Sequence, residues 1–104
     1  WPAAAPDANP WTGLSGMLTR RNADPTYPGE LAPKQAISLQ EALPLFTCNG
    51  ARSMGMEAET GSLSIGKWAD FIILNEDLTQ ITPENIATVC PQSTVWKGQV
   101  VHSK

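Results

Sequence analysis

Six of the nine prolines, Pro2, Pro6, Pro10, Pro25, Pro28 and Pro33, fall in the first third of this 104-residue chain. Each locks φ and removes an amide donor, so that third can supply neither a central strand nor a long helix. Residues 1–37 are therefore expected to form a Pro-rich loop with one short helix, from about Pro10 to Arg20. Asn9 can cap it, Pro10 can occupy its first turn, and Trp11, Leu14, Met17 and Leu18 recur at helical spacing. Arg20 and Arg21 then suit the negative pole of the helix dipole.

At 104 residues the chain is one small domain at most, burying roughly 65% of its unfolded area, which excludes a complete large-barrel enzyme. A net charge of −3 is the wrong sign for gripping nucleic acid, so no nucleic-acid partner is expected. No apolar run approaches the ~20 residues of a membrane span, and Trp1 to Pro6 contain neither a basic nor an apolar leader segment. The chain is expected to be soluble and without a membrane partner, the cytoplasm being favoured over a periplasmic or secreted place. It opens at Trp1 without a methionine, which suggests a piece cut from something longer.

Cys48 and Cys90 are too few for a disulfide framework and too far apart for a local metal knuckle, and are expected to be buried thiols. The single histidine, His102, has no second imidazole with which to build a zinc site or a Ser-His-Asp arrangement, and is expected on the surface at a strand end.

Ser38-Leu39-Gln40-Glu41 is a capping box, so a helix begins at Leu39. It runs over 38–55 with an inward stripe of Leu39, Leu43 and Phe46. Pro44 bends it, Asn49-Gly50 is a weak point, and Gly55 ends it with positive φ. From residue 56 the pattern becomes extended. Phe71-Ile72-Ile73-Leu74 is a continuous apolar run of strand length, expected to be covered on both faces. Thr82-Pro83-Glu84 starts a single helical turn ending near Val89, with Thr82 as cap. Ser93–Trp96 and Gln99–His102 flank Lys97-Gly98, which predicts a closing β-hairpin. The fold class is α+β.

The segment Gly61-Ser62-Leu63-Ser64-Ile65-Gly66-Lys67-Trp68-Ala69-Asp70, followed by four apolar residues, resembles the C-terminal stretch of metal-dependent amidohydrolases. Ser38 to Leu43 with Thr47 and Ala51 resembles the last barrel helix of that family, and Val95 to Val101 its closing hairpin. Trp1-Pro2, Asn9-Pro10-Trp11 and Thr19-Arg20-Arg21 are similar to the loop after the eighth barrel strand in the amidohydrolase-3 group. That group reads Ser-Asp-x-Pro there, the aspartate being a metal ligand and general base, and Trp1-Pro2 begins just beyond it.

The resemblance implies the last helical part of a (β/α)₈ barrel, then strands of a small β-sandwich with a C-terminal hairpin. It also implies hydrolysis of carbon–nitrogen bonds other than peptide bonds by one or two divalent metals, zinc being expected. The ligands would be a His-x-His pair, two further histidines, often a lysine or glutamate, and the aspartate, none of them within this chain. No catalytic or metal-binding residue is therefore assigned here, and the chain alone is expected to be inactive. Trp1, Pro2 and Trp11 are candidates for the rim of the substrate pocket. Gly61, Gly66, Lys67, Ala69 and Asp70 are expected to be structural: Gly66 turns the chain, Ala69 permits close approach, and Asp70 bonds neighbouring amides.

The implied partner is the N-terminal barrel of the same polypeptide. Without it the strand at Phe71 and the stripe at Leu39 lose their cover, and self-association is expected. The alternative is a stand-alone β-rich interaction or regulatory module, and the residues encoded before Trp1 would discriminate the two.

Overall fold

The computed structural model describes residues 9–22 and 26–104. Helix α1 spans Pro10–Thr19, with Asn9 Oδ1 accepting from the Trp11 amide at 2.9 Å and proline in its first turn. Its buried Leu14 meets Ala42 and Ile86 in the main core, with Trp11, Met17 and Leu18 packed around them. Residues far apart in the chain thus share one small core. Ser15 is buried as well, and its hydroxyl donates to the Pro83 carbonyl at 2.8 Å.

The two arginines after α1 lie past its end. Arg20 sits in left-handed backbone, φ 58°, and its Nε donates to the Leu31 carbonyl at 2.8 Å. Arg21 pairs with Glu30 at 2.6 Å. They fasten the returning loop rather than the helix dipole.

The helix expected over 38–55 is two helices. Helix α2, Leu39–Phe46, opens on the capping box: Ser38 Oγ accepts from the Glu41 amide and Glu41 Oε1 accepts from the Ser38 amide, each at 3.1 Å. Helix α3 is Cys48–Ser53. The break falls at Thr47, not at Asn49-Gly50. The Thr47 hydroxyl donates to the Leu43 carbonyl at 3.0 Å, a local bond of the kind that bends helices. The Thr47 amide turns to the Pro44 carbonyl at 3.2 Å. Helix α3 ends as expected at Gly55, φ 72°, where the Gly55 and Met56 amides donate back to the Arg52 and Ala51 carbonyls. The inward stripe holds at Leu39 and Leu43, but Phe46 is 42% exposed.

Strand β1, Phe71–Leu74, pairs antiparallel with β2, Pro91–Trp96, which pairs with β3, Gln99–Ser103. The sheet order is β1-β2-β3. The strand boundaries agree with the apolar run, but its expected two-sided cover is absent among the described residues. Phe71, Ile72 and Ile73 are 37%, 42% and 50% exposed, and over Ile72 and Leu74 the helices α1 and α2 leave a cleft rather than a closed layer. The hairpin turns at Lys97, φ 49°, and Gly98, φ 79°. Positive φ at both central residues gives the turn the twist of its flanking strands. His102 lies exposed on β3 opposite Thr94.

Pro83–Thr88 forms a 3₁₀ turn with no capping bond from the Thr82 side chain. The Thr82 carbonyl takes the Asn85 amide at 2.9 Å, so backbone does the work expected of the hydroxyl. Its buried Ile86 faces α1. No helix among the described residues is long and apolar enough to cross a membrane.

Candidate functional site

Two places gather the residues singled out in the sequence. One is the loop 61–70. It closes on itself where the Trp68 amide donates to the Glu59 carbonyl at 2.9 Å, with Gly66 at φ 92° making the turn. Lys67 Nζ donates to Ser62 Oγ at 3.0 Å and its amide to the Ser64 carbonyl at 3.1 Å, so this lysine holds the loop. Gly61, φ 98°, lies against α3, where an added Cβ would come within 2.8 Å of the Ala51 Cβ and 3.1 Å of the Cys48 Cα. Only glycine fits that approach.

Asp70 bonds an amide that is near in space and far along the chain. Its Oδ2 accepts from Thr60 Oγ1 and its Oδ1 from the Lys97 amide, both at 2.8 Å. The Ala69 side chain is exposed, and that residue contributes its carbonyl, which accepts from the Gly98 amide at 3.0 Å. Loop and hairpin turn are thereby stitched together. Lys97 Nζ lies 3.9 Å from the centre of the Trp68 ring and 4.6 Å from that of Trp96. Thr60, Trp68 and Trp96 were not legible as a group, since only folding brings residues 60, 68 and 96 around one turn.

The second place is a cleft of about 340 Å³ between α1, α2 and β1. Trp11 lines it, with Leu43, Phe46, Ile72 and Leu74 among its neighbours. No titratable side chain lines this cleft, and its Thr47 hydroxyl already donates to Leu43. It can hold an apolar group but cannot move a proton. Trp1 and Pro2 lie outside the described residues. A more polar cleft of about 330 Å³ adjoins α1, where the hydroxyls of Ser15 and Thr19 are spent on backbone carbonyls and Arg21 on Glu30.

The donor atoms of the described residues do not fit a divalent ion. Among the described residues no three His, Cys, Asp or Glu side chains converge. Both oxygens of Asp70 are engaged, Asp77 accepts from Thr79, and Glu41 serves the cap. Hydrogen bonds from the Thr79 hydroxyl and then its amide hold the Asp77 carboxyl below the usual aspartate value. Those from Ser38, backbone first and then hydroxyl, lower Glu41 in the same way. Cys48 and Cys90 are both free and half-buried.

Comparison with known proteins places this geometry in context. The amidohydrolase family model of the amidohydrolase-3 type matches residues 3–102. The chain is similar to the imidazolonepropionase of Bacteroides fragilis, 28% identical over 97% of this chain and 23% of that protein. It is 35% identical to that of Syntrophobacter fumaroxidans over 91% of this chain and 21% of the relative. The 5'-deoxyadenosine deaminase of Methanobrevibacter smithii is 40% identical over 56% of the chain and 13% of its own length. The chain thus spans less than a quarter of each of these relatives. No solved structure matches it. With nearly every residue inside the matched region, the chain belongs to the amidohydrolase family.

Proposed function

We propose that this chain is the C-terminal part of a metal-dependent hydrolase acting on carbon–nitrogen bonds other than peptide bonds. The observation that carries the reading is the family match across residues 3–102. Relatives named imidazolonepropionase and 5'-deoxyadenosine deaminase support the same bond class. The chain's own part is architectural. Helices α2 and α3 stand for the last helical part of a (β/α)₈ barrel, and β1 to β3 for strands of a small β-sandwich closed by the hairpin.

The divalent ion, zinc by expectation, belongs to the barrel on the remainder of the same polypeptide. Among the described residues no three such donors converge, and both oxygens of Asp70 are engaged, which supports that division. Trp1, Pro2 and Trp11 are proposed for the rim of the substrate pocket.

The test compares two proteins. The 104-residue chain, supplied with zinc or manganese, is expected to leave cyclic imides, cyclic amides and adenosine-type amines unhydrolysed. The complete polypeptide encoding it is expected to hydrolyse a bond of this class and to lose that activity to a chelator. Turnover by the chain alone, or a complete polypeptide that is inactive or indifferent to chelation, overturns the reading.

A further inference from the structure

We propose that Ser15 is a positioning residue: through the Pro83 carbonyl it sets the pose of helix α1 and of Trp11, the rim candidate that α1 carries, so that substrate affinity in the complete hydrolase depends on this one bond. The role rests on the hydrolase reading above. Ser15 is buried in the middle of a helix, where alanine would favour the helix more and bring no hydroxyl to desolvate. Its bond, not its helix, accounts for the serine. The hydroxyl crosses 68 positions to the Pro83 carbonyl at 2.8 Å, whereas the Thr19 hydroxyl stays inside the helix on the Ser15 carbonyl at 2.9 Å.

Helix α1 cannot hold a pose by itself. It has ten residues, Gly13 and Gly16 among them, fewer than the roughly 12 to 15 that an isolated helix needs, and glycine weakens it further. Tertiary contacts must fix it. Beside the Ser15 bond, the fully buried Leu14 packs against the fully buried Ile86 of the turn Pro83–Thr88, and the Met17 carbonyl takes the Ile37 amide at 3.1 Å. Pro83 has its φ locked by its ring, and the turn leads through Val89 and Cys90 into β2, which gives the acceptor a rigid mount. Trp11 lies one turn before Ser15 on the same face, about 6 Å along the axis, so a tilt released at Ser15 reaches its ring. The sheet thereby sets the rim helix.

The test uses the complete polypeptide and whichever cyclic imide, cyclic amide or adenosine-type amine it hydrolyses. Ser15→Ala is expected to raise KM about fivefold with kcat within about twofold, because losing a hydrogen bond of ordinary net strength cuts the binding-competent population by that factor. Ser15→Thr keeps the hydroxyl and is expected to hold KM within about twofold of the wild type. Gly66→Ala, which destabilises the loop before β1 without touching α1, is expected to leave KM unmoved. In protein labelled with fluorotryptophan, Ser15→Ala is expected to shift the Trp11 resonance, assigned with Trp11→Phe, and Gly66→Ala to leave it in place. Should Ser15→Ala fail to fold, Ile86→Val trims the same contact by one methyl and is expected to raise KM about twofold. A folded variant at this contact with the wild-type KM or an unmoved Trp11 resonance, a threonine variant no better than alanine, or an equal rise in KM for Gly66→Ala overturns the proposal and leaves the hydrolase reading standing. A complete polypeptide without turnover overturns both.

Discussion

The Asp70 carboxylate reaches across 27 positions to accept the Lys97 amide at 2.8 Å, and its other oxygen accepts the Thr60 hydroxyl at the same distance. One half-buried side chain thus joins the loop before β1 to the turn between β2 and β3. Removing a charged acceptor strands two donors. Asp70→Ala is expected to lower unfolding free energy by about 2 kcal/mol, while Asp70→Asn, which can satisfy both partners as a neutral amide, costs less. Urea denaturation checks the order, and an alanine variant as stable as the wild type refutes the role.

Gly61 and Gly66 look alike in sequence and in φ, 98° and 92°, yet differ in surroundings. A methyl at Gly61 collides with Ala51 and Cys48, whereas at Gly66 nothing lies within 4 Å. Gly66→Ala is expected to cost about 1 kcal/mol for the left-handed backbone alone, and Gly61→Ala roughly 2 to 4 kcal/mol once overpacking is added. Equal thermal shifts for the two variants contradict this.

The cap of α2 makes a prediction about pH. Glu41 has its pKa lowered in the fold by the Ser38 amide and then the Ser38 hydroxyl. A group depressed on folding contributes stability above its unfolded pKa and loses it as pH falls through the folded one. The Glu41 carboxyl is expected to titrate below the ordinary glutamate value by NMR, and Ser38→Ala to move that midpoint up while costing about 1 kcal/mol at neutral pH. An unmoved midpoint rejects the Ser38 hydroxyl as a contributor to it.

Thr47 lies between α2 and α3, φ −130° and ψ −99°, with its hydroxyl on the Leu43 carbonyl. Thr47→Ala removes that bending bond. The expected outcome is a longer helix across 39–53, read as Cα chemical shifts at residues 46–48 moving to helical values. Thr47→Ser retains the hydroxyl and is expected to retain the break.

Local chemistry alone determined much of this chain. Asn9 with Pro10 started α1, Ser38 with Glu41 started α2, Gly55 ended α3, the run Phe71–Leu74 marked β1, and Lys97-Gly98 placed the hairpin. These features act over one to four residues, where propensity and capping bonds compete with nothing distant. The motif at Gly61 to Asp70 likewise carried the family.

Tertiary structure decided what required distant partners: that Asp70 would find Thr60 and Lys97, and that Gly61 would meet α3. It also placed Trp11 on an apolar cleft and left β1 at an edge with its apolar faces exposed. An apolar run states that a strand wants cover on both sides. Whether cover exists depends on which other segments arrive: among the described residues β2 alone pairs with β1, and α1 and α2 leave a cleft over Ile72 and Leu74.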